Sequence, residues 1–219
     1  MSAKHEALVS RRLPEARRPE RALLAAPAPQ VAQHLLGLWL VRWEQGRPVG
    51  GRIVETEAYD ETDPASHSYK GQRRSNATMF GRPGLLYVYR SYGVHWCMNI
   101  ACGPKGFGAA VLVRAVEPLL GTQRMAAGRG FAVPPKKLAQ LTAGPGRLTQ
   151  ALGIDGGLDG LDLLDDQPLQ LLLPADVTPH TPQIVATPRI GIRRATELPW
   201  RFIDASSACL SGSRKHNRR

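Results

Sequence analysis

Residues 51–59, GRIVETEAY, have the side-chain alternation and β-branched content that predict a β-strand. Because side chains alternate between the faces of a strand, its two carboxylates point the same way. One face carries Ile53, Glu55 and Glu57, and the other carries Val54 and Ala58. The simplest interpretation is an antiparallel strand whose apolar face meets the core and whose acidic face is solvated.

Short apolar runs bounded by Gly or Pro recur along the 219 residues and predict further strands. Strands are expected within 38–43, 51–59, 85–102 (two strands around a tip at 91–93), 109–118, 169–174, 188–192 and 199–202. Residues 31–36 and 141–154 predict short helices. We therefore expect one domain of mixed α/β (α+β) class, with a curved, largely antiparallel, open-barrel-like β-sheet core surrounded by short helices.

The charge of the chain indicates a polyanionic partner. Its 29 Lys and Arg residues against 18 Asp and Glu residues give a net charge of +11, so nucleic acid is the first partner to test. Residues 1–29 and 206–219 are basic and poor in apolar periodicity, and they predict a flexible N-terminal arm and a C-terminal tail. The folded domain is then expected at residues 30–205.

The cysteines and the hydropathy exclude several classes of protein. Cys97, Cys102 and Cys209 are an odd number without paired spacing, so neither a disulfide framework nor a zinc site is indicated. No apolar run approaches the roughly 20 residues of a membrane span. We expect an intracellular protein without membrane association, in the cytoplasm or nucleoid of a bacterium or in the nucleus of a eukaryote.

Aromatic side chains concentrate in the hairpin predicted at residues 85–102. Tyr87 and Tyr89 share one strand face, His95 and Asn99 share a face of the returning strand, and Tyr92 occupies the tip. Such residues commonly pack in a core. In a basic chain they also suit stacking on nucleobases or wedging into a base stack, and both interpretations stay open here. The polar segment 60–84 is long enough that a functional loop is the preferred interpretation.

Several motifs in order along residues 30–203 resemble the alkyladenine (3-methyladenine) DNA glycosylase family. They are VETEAY (54–59), the loop around His67, NATMFGRPG (76–84), LYVYRSYGVHWCMN (86–99), VLVRAVEP (111–118) and LTAGPGRLTQALGI (141–154). The resemblance implies a single mixed α/β domain that excises alkylated or deaminated purines from duplex DNA. It also implies no metal or redox cofactor, and a monomer is the simplest expectation for a protein that scans DNA.

The same resemblance implies roles for individual residues. Glu57 is implied to be the general base that activates water, because a carboxylate can both deprotonate water and stabilise an oxocarbenium-like sugar. Arg114 is implied to hold the water or a phosphate of the flipped nucleotide, and a main-chain carbonyl near Ile190 is implied to be a further anchor for the water. Glu55 receives no such role and is interpreted as a solvated side chain or part of an internal ion pair.

Base flipping assigns the remaining candidates. Tyr92 resembles the wedge that fills the gap left by the flipped nucleotide, and the side chains flanking it are Val94 and His95. The base is expected between Tyr59 on one side and Tyr89 with His67 on the other. Asn99 resembles an amide that disfavours guanine, although a structural hydrogen bond is the alternative.

The chain departs from the family pattern near His67, where Gln72-Arg73-Arg74-Ser75-Asn76 displaces the usual arginine. Arg73 or Arg74 is a candidate replacement as a phosphate contact. At residues 144–147, Arg147 is either a phosphate contact or part of an ordinary helix-starting turn. Two other functions stay open: a non-catalytic damaged-DNA-binding module, and an RNA- or nucleotide-directed hydrolase.

Overall fold

An antiparallel sheet of nine strands organises residues 16–174, 180–213 and 216–217, which are the residues described by a computed structural model of the chain. The strands are β1 Ala16–Arg17, β2 Trp39–Glu44, β3 Arg47–Asp60, β4 Leu86–Ser91, β5 His95–Ala101, β6 Ala109–Leu120, β7 Leu169–Pro174, β8 Ile184–Thr187 and β9 Arg201–Asp204. Their main order is β1-β7-β2-β3-β6-β5-β4, and the sheet does not close into a barrel. The predicted mixed α/β domain with an antiparallel sheet is confirmed.

Strand β3 is long enough to have three neighbours. Its first half pairs with β2 through a hairpin, its second half pairs with β9, and β6 lies along its other edge. The hairpin turn places Gln45 and Gly46 at φ of 50° and 75°, which is the left-handed geometry that matches strand twist. Because the second half of β3 pairs with β9, residues 201–203 lie beside Glu55 and Glu57.

Short helices cover the sheet. They are α1 Arg21–Leu24, α2 Ala28–His34, α3 Thr122–Gly128, α4 Ala139–Thr142 and α5 Pro145–Leu152, with 3-10 turns at Arg74–Phe80 and Gly156–Leu158. Apolar residues of α2, α3 and α5 join strand residues such as Ile53 and Val113 in the main core. Thr56 Oγ1 donates to Ala32 O at 2.8 Å, so α2 is also tied to β3 by a buried hydrogen bond. None of the helices in the described ranges is long and apolar enough to cross a bilayer.

A local irregularity corrects the predicted faces of β3. Its register with β6 shifts on both sides of Glu55. Ile53 packs into the main core with Ala58, whereas Val54 packs against Cys209. The sequence predicted instead that Ile53 and Ala58 lie on opposite faces of the strand. That prediction is wrong because side chains alternate between the faces only where no β-bulge intervenes.

The packed structure extends past both predicted domain boundaries. Residues 16–29, predicted as part of a flexible arm, include α1 and bury Leu24 at 0 % and Ala28 at 2 % exposure, because their Leu and Ala side chains fit the core. In the predicted tail, Cys209 and Ser211 are also buried. The arm prediction for residues 1–15 lies outside the described residues. The strand predicted at 188–192 is wrong, since β8 ends at Thr187 and Gly191 has φ of 83°.

Candidate active site

One row of side chains crosses the sheet, and four of its members, Glu57, Leu112, Asn99 and Tyr87, form the floor of the candidate site. The register pairs Arg201 with Glu57, Glu57 with Leu112, Leu112 with Asn99, and Asn99 with Tyr87. Side chains directly opposite one another in paired strands lie on the same face of the sheet. Five strands from distant parts of the chain therefore present these groups together.

A cavity of about 550 Å³ opens on this face of the sheet. Nine predicted site residues line it: Glu57, Tyr59, His67, Tyr89, Tyr92, His95, Asn99, Arg114 and Ile190. Val94 lies at the exposed hairpin tip, and Arg73, Arg74 and Arg147 are exposed outside the lining. The volume falls in the range of roughly 300–1,000 Å³ that is usual for small-molecule sites.

Glu57 is held by three donors inside the cavity. Its Oε1 accepts the main-chain N–H of Ile190 at 2.7 Å, and its Oε2 accepts Tyr59 Oη at 2.9 Å and Arg114 Nη1 at 3.2 Å. A carboxylate has about four lone-pair sites, so this arrangement leaves about one for a water molecule. The structure shows the Ile190 amide on Glu57; the predicted role of a nearby carbonyl as a water ligand stays a prediction.

Glu55 is buried rather than solvated, with a side-chain exposure of 0 %. Its Oε1 accepts Arg114 Nε at 2.8 Å and Arg201 Nε at 2.8 Å, and its Oε2 accepts the main-chain N–H of Ser211 at 2.6 Å. Burial alone raises the pKa of Glu55, but the two guanidinium groups and the hydrogen bonds outweigh it, so the pKa lies below its ordinary value. The solvated-face interpretation is wrong, and the internal ion pair is confirmed.

Tyr59 is fixed from behind by a buried ion pair. The Arg189 guanidinium lies 4.6 Å from the centroid of the Tyr59 ring and pairs with Asp63, and both charged side chains are fully buried. Arg189 Nη1 also donates to Ala58 O at 2.9 Å. Burial, followed by the nearby Glu57 carboxylate, raises the pKa of Tyr59 above its ordinary value, so the phenol stays protonated and donates to Glu57.

His67 and two tyrosines build another wall of the cavity. The rings of His67 and Tyr89 lie edge to face with centroids 4.4 Å apart, and those of Tyr87 and Tyr89 stack at 5.6 Å. His67 Nδ1 is 3.0 Å from Tyr87 Oη. Burial lowers the pKa of His67, which favours the neutral imidazole. Tyr87 also packs with Met79 and Phe80, so core packing and cavity lining occur in the same strand.

The loop that carries His67 is fastened by its own side chains. Asn76 Nδ2 donates to His67 O at 2.9 Å and to Gly71 O at 3.2 Å, and Asn76 Oδ1 accepts the N–H of Arg73 at 2.6 Å. Ser68 Oγ donates to Gly108 O at 2.7 Å. These bonds make segment 60–84 an ordered wall of the cavity, with a 3-10 turn that the sequence analysis missed.

Asn99 lies at the cavity floor with 5 % exposure. Its Nδ2 donates to Tyr87 O at 3.3 Å. The amide therefore makes the structural hydrogen bond that the sequence left as an alternative, while it also lines the cavity. Its discrimination against guanine stays a prediction.

The β4–β5 hairpin projects two apolar side chains into solvent. Tyr92 is 87 % and Val94 71 % exposed, and the turn places Tyr92 and Gly93 at φ of 48° and 67°. A tyrosine in left-handed geometry is uncommon and marks a specialised turn. At its base the ring of His95 lies against Gly146, where an added Cβ would come within 2.9 Å of the ring, so the turn before α5 packs directly on the hairpin.

Several residues of the site were not predicted from the sequence. Exposed arginines line the cavity mouth: Arg90, Arg193 and Arg194. Arg189 contacts the ring of Tyr59 and Ser211 donates to Glu55, so both stabilise the site from outside the cavity. The basic pair at 193–194 was a usable signal in a chain whose net charge predicts a polyanionic partner. Ser211 gave none, because its contact with Glu55 spans 156 residues.

The three cysteines are free and buried. Within residues 16–174, 180–213 and 216–217, no group of three His, Cys, Asp or Glu side chains could hold a metal ion. The prediction that no metal or cofactor takes part stays a prediction.

Comparisons with known proteins agree on one family. The family model described as "Methylpurine-DNA glycosylase (MPG)" matches residues 22–208. Relatives named "Putative 3-methyladenine DNA glycosylase" match most of the chain, and three of them serve as examples. The protein of Granulibacter bethesdensis is 51 % identical over 189 residues, covering 86 % of this chain and 84 % of its own. That of Nitrosospira multiformis is 48 % identical (85 % and 90 % covered), and that of Methanoculleus marisnigri is 48 % identical (86 % and 93 % covered). The chain therefore belongs to the methylpurine-DNA glycosylase family.

Proposed function

We propose that this protein removes alkylated or deaminated purines from duplex DNA by hydrolysing the N-glycosidic bond. The substrates would be of the 3-methyladenine, 7-methylguanine, hypoxanthine and ethenoadenine class. The observation that carries the proposal is Glu57, a buried carboxylate held by three donors in an aromatic-walled cavity of a basic protein. The test is to incubate the protein with duplexes that each carry one of these bases and to identify the released purine by chromatography.

The reaction follows from the position of Glu57. Water oxygen forms a bond to C1′ of the flipped nucleotide, the bond from C1′ to the base nitrogen breaks, and the base leaves with the bonding electrons. Glu57 accepts the proton of the water, and its charge stabilises the oxocarbenium-like sugar. A purine alkylated at N3 or N7 is cationic and leaves as a neutral molecule, which makes it the better leaving group. The product is an abasic site.

The damaged base would be recognised by the aromatic side chains that line the cavity. Arg189 covers one face of Tyr59, so the face turned to the cavity is available for a base. Tyr89 and His67 would contact the other side of the base. Electron-rich rings favour a cationic purine by about 0.5–2 kcal/mol. A neutral His67 adds no positive charge to oppose that cation, and Asn99 would disfavour guanine from the floor.

The exposed hairpin tip would replace the flipped nucleotide in the duplex. Tyr92, whose side chain is 87 % exposed, would enter the base stack, and Val94 and His95 would flank it in the minor groove. Filling the gap offsets the unstacking energy of the flipped nucleotide. The backbone contacts proposed from the sequence, Arg73 and Arg74, are joined by Arg90 at the cavity mouth.

The change Tyr92→Ala should lower single-turnover base release by about 10- to 100-fold, from the energy of one aromatic–base stack. Binding to undamaged duplex should change less than about twofold, because it depends mainly on phosphate contacts. Tyr69→Ala, which removes a half-exposed tyrosine of the 60–84 loop, is the matched control. Equal losses of release and of non-specific binding in Tyr92→Ala would rule out a wedge.

The neutral form of His67 predicts a pH effect on substrate choice. Since burial holds the pKa of His67 below its ordinary value, a fall from pH 8.5 to 7.5 should leave the ratio of 7-methylguanine to hypoxanthine release unchanged. At lower pH His67 gains a proton and repels the cationic base, so the ratio should decline. In His67→Phe this decline should be absent. A ratio that declines equally in both proteins would remove His67 from the discrimination.

Duplex DNA would lie across the basic cavity mouth and the turn before α5. Arg193 and Arg194 line the mouth, and Arg147 is exposed on α5. Arg129, which follows α3, donates through Nη1 to Gln150 Oε1 on α5 and would add positive charge beside Arg147. Burial, followed by the nearby charge of Arg147, lowers the pKa of Arg129. We expect a monomer bound to one lesion site, which sedimentation of the complex with a short duplex would show as a 1:1 species.

A further inference from the structure

The other glutamate of strand β3, Glu55, accepts four hydrogen bonds where Glu57 accepts three, but it does not line the cavity. Its partners are Arg114, Arg201 and Ser211, and we call these four residues the Glu55 cluster. Both the main-chain N–H and the Oγ of Ser211 donate to the Glu55 carboxylate, at 2.6 and 2.7 Å. Such complete pairing of a buried carboxylate is expected only where its charge is retained.

Arg114 links this cluster to the cavity. Its Nε donates to Glu55 at 2.8 Å while its Nη1 donates to Glu57 at 3.2 Å. The guanidinium is planar and rigid, so fixing one edge on Glu55 fixes the direction in which the other edge meets Glu57. Ser211 Oγ accepts from Arg114 Nε and Nη2 at 3.3 and 3.2 Å, which restrains the same group from a third side.

The charges of this region balance. Glu55 and Glu57 supply two negative charges, and Arg114 and Arg201 supply two positive ones; Tyr59 and the Ile190 amide also face Glu57 but are neutral. Without Glu55 one uncompensated positive charge would remain beside the reacting sugar. It would oppose the positive charge that develops as the base leaves, and it would draw Glu57 away from water.

We propose that Glu55 is a positioning residue of the excision reaction, which fixes Arg114 against Glu57 and balances its charge. The inference rests on the proposed function, because it assigns Glu55 a role in that reaction. This role also explains why strand β3 presents two glutamates to Arg114.

The C-terminal segment completes this arrangement. Besides the bonds of Ser211, the carbonyl of His216 and Oδ1 of Asn217 accept Arg201 Nη1 at 2.9 Å and Nη2 at 2.7 Å. These residues lie beyond position 208, where the family match ends. The described residues of 209–217 therefore belong to the support of the active site rather than to a separate tail.

The first test changes Ser211→Ala, which removes the hydroxyl with little loss of volume. Single-turnover base release should fall about tenfold, as expected for losing a hydrogen bond to a charged group, while binding of lesion-free duplex stays within about twofold. Ser207→Ala is the control, because its hydroxyl contacts Cys209 in the same segment and, among the described residues, is not a partner of Glu55 or Arg114. A wild-type rate in Ser211→Ala would overturn the proposed role.

The second test separates charge balance from folding. Glu55→Gln should lower release about 100-fold, whereas Glu117→Gln, which breaks the Arg52 ion pair between the same two strands, should not. The double change Glu55→Gln with Arg201→Met restores the charge balance and should recover release at least about tenfold. A merely structural role predicts that the double variant is slower than Glu55→Gln.

The release rates of these variants are compared with that of Glu57→Gln. If Glu57→Gln is inactive and all Glu55 and Ser211 variants match wild type, the positioning role fails and the proposed function stands. If Glu57→Gln remains active, the proposed mechanism fails first. Should Glu55→Gln not fold, the rate and binding of Ser211→Ala decide the question alone.

Discussion

Glu57→Gln should lower single-turnover base release by about 1,000-fold or more, which is within the contribution of general base catalysis together with charge stabilisation. Glutamine keeps the shape of the side chain but cannot take a proton from water. The variant should fold, because Arg114 keeps Glu55 as an ionic partner. Its affinity for lesion-containing duplex should remain within about threefold of wild type, since phosphate contacts supply most of the binding. Quenched-flow release assays and fluorescence anisotropy measure the two quantities.

Glu61→Gln is the matched control for this change. Glu61 lies four residues from Glu57, accepts the N–H of Gly108 at 2.8 Å and is absent from the cavity lining. Its glutamine variant should release bases at the wild-type rate. Turnover by Glu57→Gln near that rate would remove Glu57 from the mechanism. Tight lesion binding by the wild type without any release would favour the damaged-DNA-binding module instead.

Asp63→Asn should lower the free energy of unfolding by about 3 kcal/mol, the cost of leaving a buried charge without its partner. Asp63 and Arg189 both have a side-chain exposure of 0 %, so water cannot replace the lost carboxylate. Because Arg189 supports the ring of Tyr59, the base-facing wall should loosen as well, and release should fall at temperatures where the variant remains folded. Urea titration followed by circular dichroism measures the stability.

Asp60→Asn provides the comparison within the same loop. Asp60 Oδ1 accepts the N–H and the hydroxyl of Thr62 at 2.9 and 2.7 Å at the surface, and asparagine keeps that acceptor. Its stability should change by less than about 0.5 kcal/mol. A loss below about 1 kcal/mol in Asp63→Asn would show that the buried pair does not hold the 60–84 loop to the sheet.

The sequence predicted those parts of the fold that local pattern determines. The β2–β3 hairpin follows from two apolar runs around a Gly-containing turn, and the β4–β5 hairpin follows from the tip at Tyr92 and Gly93. The strand predicted at 188–192 failed because the main-chain N–H of Ile190 donates to Glu57 instead of to a neighbouring strand, and because Gly191 has φ of 83°. Apolar content alone cannot reveal such long-range partners.

The residues of the candidate site were likewise predicted where a local motif contains them and missed where long-range contacts define their role. Motif resemblance pointed to Glu57 and Arg114, whose side chains meet in the cavity. It left Glu55 unexplained, because the partners Arg201 and Ser211 lie about 150 residues further along the chain. The bulge in β3 was also invisible to a simple alternation rule, since two compensating register shifts preserve the strand on either side of Glu55.

We propose that a water molecule, activated by Glu57, releases the damaged base without a covalent enzyme intermediate. The measurement that decides this uses a duplex with one 3-methyladenine or hypoxanthine, a chelator and an excess of protein, with and without borohydride. We expect free purine and an unbroken strand with an abasic site that only alkali cleaves, and no trapped protein–DNA adduct. Binding without purine release, or an adduct trapped by borohydride, would contradict it.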